Sequence, residues 1–471
     1  MIHGYELNGY YIVLDISSGS IHQLDPVAFD VIMKYQERSE DEIIDEVLKK
    51  YEGDPSINRE EVGEIFADVR ELIHQKKLFT PHQEWTGLSN QLWKQGGSLE
   101  ENQPEVKALC LHVAHTCNMT CDYCFASQGK YRGDRALMTV EVGKKAMDFL
   151  IESSGNRRNL EVDFFGGEPL MNWSVVKEVV AYARQKEVEQ GKHFRFTLTT
   201  NGLLIDDEII DFCNREMDNV VLSLDGREAV HDRVRRTTQG EGSYKKIVPL
   251  FQRFVEQRGE KEYYIRGTFT RDNMDFTNDL YHMADLGFDK LSMEPVVCSP
   301  DEPYAFREED LPFLMDQYEE LAIEMLRRER AGKGLIFYHY MMDLTGGPCI
   351  YKRLTGCGSG REYLAVTPWG DLYPCHQFVG EEKFRMGDLW TGITEPQVVS
   401  EFEGTSLVSQ EECRTCWARL YCSGGCAANS YHATGNLQGI YEYGCKLFKK
   451  RLECAIMIKV ARDEDQTGVK G

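Results

Sequence analysis

Six strand-like runs alternate with helical patterns between residues 106 and 335, and this alternation limits the possible folds more than any other feature. The strand-like runs are Ala108 to Ala114, Leu160 to Phe165, Phe194 to Thr200, Val220 to Leu224, Tyr263 to Phe269 and Lys290 to Glu294. The helical patterns cover Val140 to Ile151 and residues 173–189, 206–216, 243–257, 275–286 and 311–328. Such alternation is typical of a parallel sheet covered by helices. The sequence therefore predicts an α/β fold, a partial (β/α)6 TIM barrel over 106–335 whose open side has room for a large substrate.

A chain of 471 residues exceeds what one hydrophobic core usually organises, so further domains are expected on both sides of the barrel. Residues 1–82 begin with two strand-like runs, Tyr5 to Leu14 and Ser20 to Leu24, and continue with two amphipathic helical patterns. This arrangement predicts a winged-helix-like domain. The remaining segments are predicted to be a polar linker over 83–105, a metal-organised domain rich in Cys and Gly over 336–460, and a disordered tail over 461–471.

Composition excludes several classes of protein. The net charge of −23 disfavours nucleic acid as a partner, because nucleic-acid binding depends on basic patches. The sequence contains neither a long uncharged apolar run nor a signal peptide, which predicts a cytoplasmic protein with no membrane span. The cytosol keeps thiols reduced, so the fifteen cysteines indicate metal binding rather than a disulfide framework.

The first group of closely spaced cysteines consists of Cys117, Cys121 and Cys124, directly after the first strand of the predicted barrel. Active sites of such sheets lie at this edge, where the carboxyl ends of the strands meet. Three thiolates can bind three irons of a 4Fe-4S cluster and leave the fourth iron open to a small molecule. A structural zinc site is the alternative, but zinc knuckles usually supply four ligands and no fourth cysteine lies nearby.

The spacing CxxxCxΦC, with Tyr123 as the aromatic residue, resembles the radical S-adenosylmethionine (SAM) superfamily. Further motifs at later strand ends support this resemblance, namely Gly166-Gly167-Glu168-Pro169, Thr199-Thr200-Asn201-Gly202 and Ser223-Leu224-Asp225-Gly226, followed by Arg235. The resemblance implies that these segments bind SAM beside the cluster. The SAM-binding residues it implies are Tyr123, Gly166, Gly167, Glu168, Pro169, Thr199, Asn201, Ser223, Asp225 and Arg235. The sequence assigns no catalytic base.

The second group of cysteines lies near the C-terminus and resembles the SPASM iron-sulfur domain in every element of its spacing. By this resemblance an outer auxiliary 4Fe-4S cluster would be held by Cys413, Cys416, Cys422 and Cys445. An inner one would be held by Cys357, Cys375 and Cys426, either with Cys349 as the fourth ligand or with an open iron. Zinc is again the alternative. The other cysteines, Cys110, Cys213, Cys298 and Cys454, have no ligand spacing and are expected to serve in packing.

The N-terminal domain resembles the recognition domain of peptide-modifying enzymes, the fold of the peptide chaperone of pyrroloquinoline quinone biosynthesis. Such a hairpin can accept a leader peptide as an added strand. A DNA-binding winged helix is the alternative, which the acidic composition of residues 1–82 disfavours.

Over the whole chain the sequence is most similar to maturases of SCIFF peptides, which form thioether links. This resemblance implies three 4Fe-4S clusters, SAM, a Cys-containing precursor peptide and a flavodoxin or ferredoxin-type electron donor. Other radical SAM reactions on peptides remain alternatives: a carbon-carbon link, decarboxylation or formylglycine formation. A leader-binding chaperone with structural metal alone is the non-enzymatic alternative.

Overall fold

The N-terminal domain is a three-stranded antiparallel sheet followed by three helices. The structure, a computed structural model, describes residues 1–81, 105–344 and 350–467, so Cys349 and nearly all of the expected linker lie outside it. The strands, in the order β1-β2-β3, are β1 (Ile2–Leu7), β2 (Tyr10–Asp15) and β3 (Ile21–Leu24). The helices are α1 (Pro26–Lys34), α2 (Glu40–Lys50) and α3 (Arg59–His74).

The expectation of one long first strand is wrong. Asn8 and Gly9 have φ values of 53° and 82°, a left-handed conformation that reverses the chain and divides the run into β1 and β2. The α1 helix then begins where the Asp25 side chain accepts hydrogen bonds from the amides of Val27 and Ala28.

The two faces of this small sheet pack against different parts of the molecule. Val13 and Leu24 face the domain's own helices and share a core with Val69. Ile12 and Leu14 belong instead to the large core that contains the barrel. The N-terminal domain is thus attached to the rest of the molecule through one face of its sheet.

The central sheet confirms the six predicted parallel strands. They are β4 (Ala108–Ala114), β5 (Asn159–Gly166), β6 (His193–Thr200), β7 (Asn219–Ser223), β8 (Glu262–Phe269) and β9 (Lys290–Pro295). The helices are α4 (Val140–Ser153), α5 (Trp173–Gln190), α6 (Asp207–Glu216), α7 (Glu228–Val234), α8 (Tyr244–Arg258), α9 (Phe276–Asp285) and α10 (Leu311–Arg330). Each of these strands pairs in parallel with its neighbour in sequence.

Strand β6 shows why this sheet has an apolar and a polar face. Phe194, Phe196 and Leu198 alternate along it and are fully buried, whereas Thr197 and Thr199 between them are only partly buried. Period-two alternation places these two sets on opposite faces of the sheet. The face that carries Thr199 borders the cavity described below.

The sheet is longer than the predicted six strands. Its order is β10-β9-β8-β7-β6-β5-β4-β11-β12-β13-β14, a linear order with distinct ends. The added strands are β10 (Ile336–Phe337), β11 (Tyr363–Val366), β12 (Asp371–Tyr373), β13 (Gly387–Asp388) and β14 (Gly392–Ile393). Because β11 pairs in parallel with β4, the C-terminal region continues the barrel sheet on the side next to the first cysteine loop.

The C-terminal region consists of short helices and one long one. They are α11 (Ile350–Thr355), α12 (Pro396–Glu403), α13 (Glu411–Thr415), α14 (Arg419–Cys422), α15 (Ala427–Thr434) and α16 (Glu442–Thr467). The expectation of a disordered tail from residue 461 is wrong as far as Thr467. Ala461 is fully buried, and Arg462 and Asp465 form ion pairs with residues of α10.

None of the helices in the described part of the chain is both long and apolar enough to cross a membrane. The cytoplasmic location stays a prediction.

Candidate functional site

A cavity of about 650 Å³ lies at the carboxyl ends of the parallel strands and is bordered by residues from both cysteine groups. All three cysteines of the first group line it. From the second group, the lining includes Cys413, Cys416, Cys422, Cys426 and Cys445. One cavity therefore connects two parts of the sequence that are separated by about 290 residues.

Two glycines at the end of β5 allow the first cysteine loop to pack directly against the sheet. A Cβ atom on Gly166, whose φ is 127°, would lie 2.4 Å from the Ala114 carbonyl oxygen. A Cβ atom on Gly167 would lie 2.2 Å from the carbonyl oxygen of Thr116, the residue before Cys117. The glycines are thus needed for contact between two backbone segments, which is a structural reason for the Gly-Gly pair beyond approach to a ligand.

Glu168 connects the loop after β5 to the end of β6. Its Oε1 accepts hydrogen bonds from the Thr200 hydroxyl at 2.7 Å and the Leu170 amide at 3.0 Å, and its Oε2 accepts one from the Asn201 amide at 2.8 Å. Burial raises the pKa of Glu168 to about 7, although these hydrogen bonds work in the opposite direction. The sequence singled out Thr199 and Asn201; the buried contact of Thr200 with this carboxyl was missed.

Asp225 is the centre of a second buried network. Its Oδ2 accepts hydrogen bonds from the Tyr123 hydroxyl and from Nε of Arg235, the latter at 2.9 Å, and its Oδ1 accepts one from the Thr268 amide at 3.0 Å. Burial opposes the charge on Arg235, yet Asp225 holds the pKa of this arginine well above its usual value. His231 accepts a hydrogen bond from the Asp225 amide. This network fixes the aromatic residue of the cysteine motif to the end of β7.

Two of the ten predicted SAM-binding residues do not border the cavity. Asp225 is fully buried, and Pro169 begins a short helical turn beneath the surface. The other eight line the cavity: Tyr123, Gly166, Gly167, Glu168, Thr199, Asn201, Ser223 and Arg235. The structure therefore brings most of the predicted set together and gives Asp225 the position of a support for Tyr123 and Arg235.

The cysteines of the first group lie close enough together to influence one another. Burial, with smaller effects of Glu168, Cys121 and Cys124, raises the pKa of Cys117 to about 12. Burial likewise raises the pKa of Cys121 to about 11, while Arg235 lowers it. Several thiolates in one buried place need a positive counterpart. This donor set fits a cationic iron-sulfur group, which would be held by these three sulfurs.

The cysteines of the second group divide into two sets. The thiols that raise the pKa of Cys422, after burial itself, are Cys445, Cys413 and Cys416. Those that act on Cys375 after burial are Cys426 and Cys357. These neighbours belong to the same sets that the resemblance to the SPASM domain assigns to the outer and the inner cluster. Neither Cys357, which is exposed, nor Cys375, which is buried, borders the cavity, and Cys349 is outside the described residues.

All fourteen described cysteines are free thiols. Within residues 1–81, 105–344 and 350–467, no three His, Cys, Asp or Glu side chains are grouped closely enough to hold one metal ion. A 4Fe-4S cube takes one thiolate for each ligated iron and spreads its ligands more widely than a single ion does.

The sequence did not point to several charged and polar residues that line the cavity. Arg266 is opposite Ser223 in the register of β7 and β8, and Glu294 is opposite Thr268 in the register of β8 and β9. Arg451 reaches the cavity from α16, and its Nε is buried without a hydrogen-bond partner. The available signal was the polar residue at the end of each strand, which becomes informative only once the strands are known to be neighbours.

Comparison with known proteins agrees with this geometry. Residues 111–271 match the model of the radical SAM superfamily, and residues 10–76 match that of coenzyme PQQ synthesis protein D (PqqD). The chain is 24% identical over 371 residues to the radical SAM cyclopropyl synthase TigE of Paramaledivibacter caminithermalis, covering 74% of each chain. It is 27% identical to the mycofactocin maturase MftC of Mycolicibacterium smegmatis, covering 70% of this chain and 81% of that one.

Among solved structures, native anSMEcpe with bound AdoMet superposes with a TM-score of 0.63 at 20% identity, covering 76% of this chain and 99% of that one. At this identity the likeness shows the fold. The fold and the matches together define a radical SAM α/β domain with a PqqD-like domain before it. A radical SAM domain implies SAM and a 4Fe-4S cluster as cofactors.

Proposed function

We propose that this chain is a radical SAM peptide maturase that installs thioether links from cysteine sulfur to carbon in a ribosomally made precursor peptide. The observation that carries the proposal is the shared cavity, because it brings the three cysteines of a SAM-binding cluster and five cysteines of a second group to one space. When bound, SAM and its cluster supply a 5′-deoxyadenosyl radical that removes a hydrogen atom from carbon. The protein supplies orientation and a site sheltered from water.

The residues around the cavity have separable tasks in this proposal. Arg235 and Ser223 bind the polar groups of SAM, and Tyr123 packs beside it. Asp225 holds Arg235 and Tyr123 in place through the hydrogen bonds described above. Glu168 holds the ends of β5 and β6 together beneath the ligand.

The proposed auxiliary clusters are an outer one on Cys413, Cys416, Cys422 and Cys445 and an inner one on Cys357, Cys375 and Cys426. The neighbouring thiols that raise the pKa of Cys422 and of Cys375 support this division. The inner cluster has two alternatives, a fourth bond to Cys349 or an open iron for a substrate thiolate. Soft thiolate ligands suit iron in either case.

The PqqD-like domain is proposed to bind the leader of the precursor as an additional strand. Strand β3 pairs only with β2 in the described structure, so its outer edge has backbone groups available for such a strand. Strand β1, at the opposite edge, lies against α16: the Tyr5 hydroxyl donates to the Glu453 carbonyl, and His3 bonds to the Glu453 carboxylate. The ring of His3 also stacks on Trp417, with ring centroids 3.6 Å apart. The Gln23 side chain of β3 also bonds to Glu464 of α16, so the proposed leader site is the outer backbone edge of β3.

The test is to incubate the reconstituted, reduced protein with SAM and a Cys-containing peptide encoded by a neighbouring gene. Each thioether removes two hydrogens from the peptide, one from carbon and one from sulfur, and also consumes one free thiol. We expect that mass change together with a loss of thiol alkylation. Cys117→Ala should abolish SAM cleavage and product, while Cys298→Ala, outside both cysteine groups, should leave both intact.

The alternatives give different products. A carbon-carbon link loses the same two hydrogens but leaves every thiol open to alkylation. Decarboxylation loses carbon dioxide, and formylglycine formation destroys the thiol without a cross-link in the fragmentation spectrum. A binding protein with structural metal alone would show no SAM cleavage after reduction. An unchanged peptide mass alongside efficient SAM cleavage would reject thioether formation for that peptide.

A further inference from the structure

Basic and apolar side chains are grouped on the outer surface around residues 114–117, immediately outside the first cysteine loop. We call this surface the reduction face; it consists of Lys130, Arg132, Arg135, Leu137 and Trp369. All five side chains are exposed, with Leu137 at 48% and Trp369 at 47%. Aromatic side chains and arginines are enriched at protein interfaces.

Contacts place three of these five residues at one short segment of backbone. The Arg135 guanidinium is 3.4 Å from the Thr116 hydroxyl. The Trp369 ring packs edge-on against His115, with centroids 5.3 Å apart. Leu137 forms an isolated antiparallel bridge with Ala114. The reduction face thus covers the end of β4 from outside.

Next to Lys130, the backbone packs directly against the start of the first cysteine loop. A Cβ atom on Gly129 would lie 2.9 Å from the carbonyl carbon of Thr116 and 3.2 Å from the amide nitrogen of Cys117. Lys130 is the next residue and is exposed. Because electron transfer slows steeply with distance, an exposed residue whose chain neighbour packs against the backbone of a proposed cluster ligand marks a favourable place for an electron to enter.

The charge of the reduction face is opposite to that of the whole chain. The chain carries a net charge of −23, whereas the three cations of the reduction face adjoin two carboxylates, those of Asp134 and Glu381, which leaves one positive charge in excess. Arg132 is paired with Glu381, while Lys130 has no ion-pair partner within the described residues. Complementary charge accelerates and orients encounters, and interfaces of electron-transfer complexes are small and transient.

We infer that the reduction face docks an acidic one-electron carrier protein, which reduces the cluster on Cys117, Cys121 and Cys124. In this step the carrier loses one electron and the cluster gains one; no bond forms or breaks. The inference rests on the proposed function and adds to it the position at which the reductant binds. Lys130 attracts and orients the carrier, and Trp369 provides the apolar contact at the centre of the interface.

The test uses the reconstituted full-length protein and a reduced flavodoxin as the probe. Two quantities are measured at low and high ionic strength: the Kd for flavodoxin, by titration calorimetry, and the rate of 5′-deoxyadenosine formation. The same rate is measured with dithionite, a small reductant that needs no docking site. For Lys130→Glu we expect a Kd about 10-fold higher at low salt and a smaller effect at high salt. Its dithionite-driven rate should be unchanged.

Two further variants separate charge from packing. Trp369→Ser should raise the Kd at both ionic strengths, because an apolar contact is not screened by salt. The matched controls are Lys333→Glu, an exposed lysine after α10, and Phe313→Ser, an exposed aromatic residue on α10. Both controls should bind flavodoxin like the wild type.

Flavodoxin binding to Lys130→Glu and Trp369→Ser with wild-type affinity would overturn the inference, as would an equal loss in the Lys333→Glu control. A protein that binds flavodoxin at the reduction face but cleaves no SAM with either reductant would instead contradict the proposed function. The two failures are therefore distinguishable.

Discussion

Replacing Asp225 with Asn should destabilise the barrel much more than removal of a surface charge. Asp225 is fully buried and the Arg235 side chain is 12% exposed, so Asp225→Asn leaves a buried guanidinium without its counter-ion. Loss of one partner of such a pair costs about 3–5 kcal/mol. An Asn amide can still accept from the Thr268 amide, but it cannot accept from Tyr123 and Arg235 with the nitrogen that replaces Oδ2.

Thermal unfolding measures this difference. In a domain of 150–250 residues, 1 kcal/mol shifts Tm by about 2–4 °C, so we expect Asp225→Asn to lower Tm by roughly 6–20 °C. Midpoints are compared at one scan rate because many proteins with several domains unfold irreversibly, and their Tm then depends on the scan rate. The control is Glu228→Gln, which removes an exposed ion pair with Lys245 worth at most about 1 kcal/mol. A Tm for Asp225→Asn within about 2 °C of the control would refute the assignment of a buried, interdependent network.

Two further predictions concern the loop contact and pH. Gly167→Ala should reduce iron incorporation and lower the free energy of unfolding by about 1–3 kcal/mol, because the added methyl group is overpacked against Thr116. The control Gly63→Ala, which has open space around it on α3, should do neither. Iron analysis and Tm measure the difference, and full iron content in Gly167→Ala would contradict the contact. Burial lowers the pKa of His231 from 6.5 to about 4, despite the opposing effect of Asp225, so the folded protein excludes a proton that the unfolded chain binds. The stability that neutral His231 contributes should be complete above pH 6.5 and should disappear as the pH falls toward 4. His231→Gln should therefore make Tm less dependent on pH across that interval. An unchanged slope of Tm against pH would contradict the burial of a neutral His231.

The central fold was predictable from sequence because its strands are long, apolar on one face and regularly spaced. All six predicted parallel strands agree with the structure to within one or two residues at each end. The short strands β11 to β14 were not predictable in this way. Each is two to four residues long, and β11 is a strand because β4 provides a partner from 255 residues earlier in the sequence.

Site residues were predictable from sequence where they belong to one local motif. They were not predictable where their position depends on contacts between separate strands and loops. Cys117, Cys121 and Cys124 could be singled out by spacing alone. The position of Asp225 behind the cavity wall depends on Tyr123 and Arg235 reaching it from two loops, which no local pattern records. Arg266 was likewise missed because its relation to Ser223 is a matter of strand register.

The attachment of the small N-terminal sheet to the main core has a consequence for substrates. Since Ile12 and Leu14 are part of the barrel's own core, and His3 is stacked on Trp417 beside Cys416, the edge of β3 stands at a constant separation from the cavity. A precursor held at that edge would present to the cavity only residues that lie far enough along its chain to span this separation. The position of the modified residue would then depend partly on the number of residues that separate it from the leader. Insertion or deletion within this intervening segment would move the modification to a different residue.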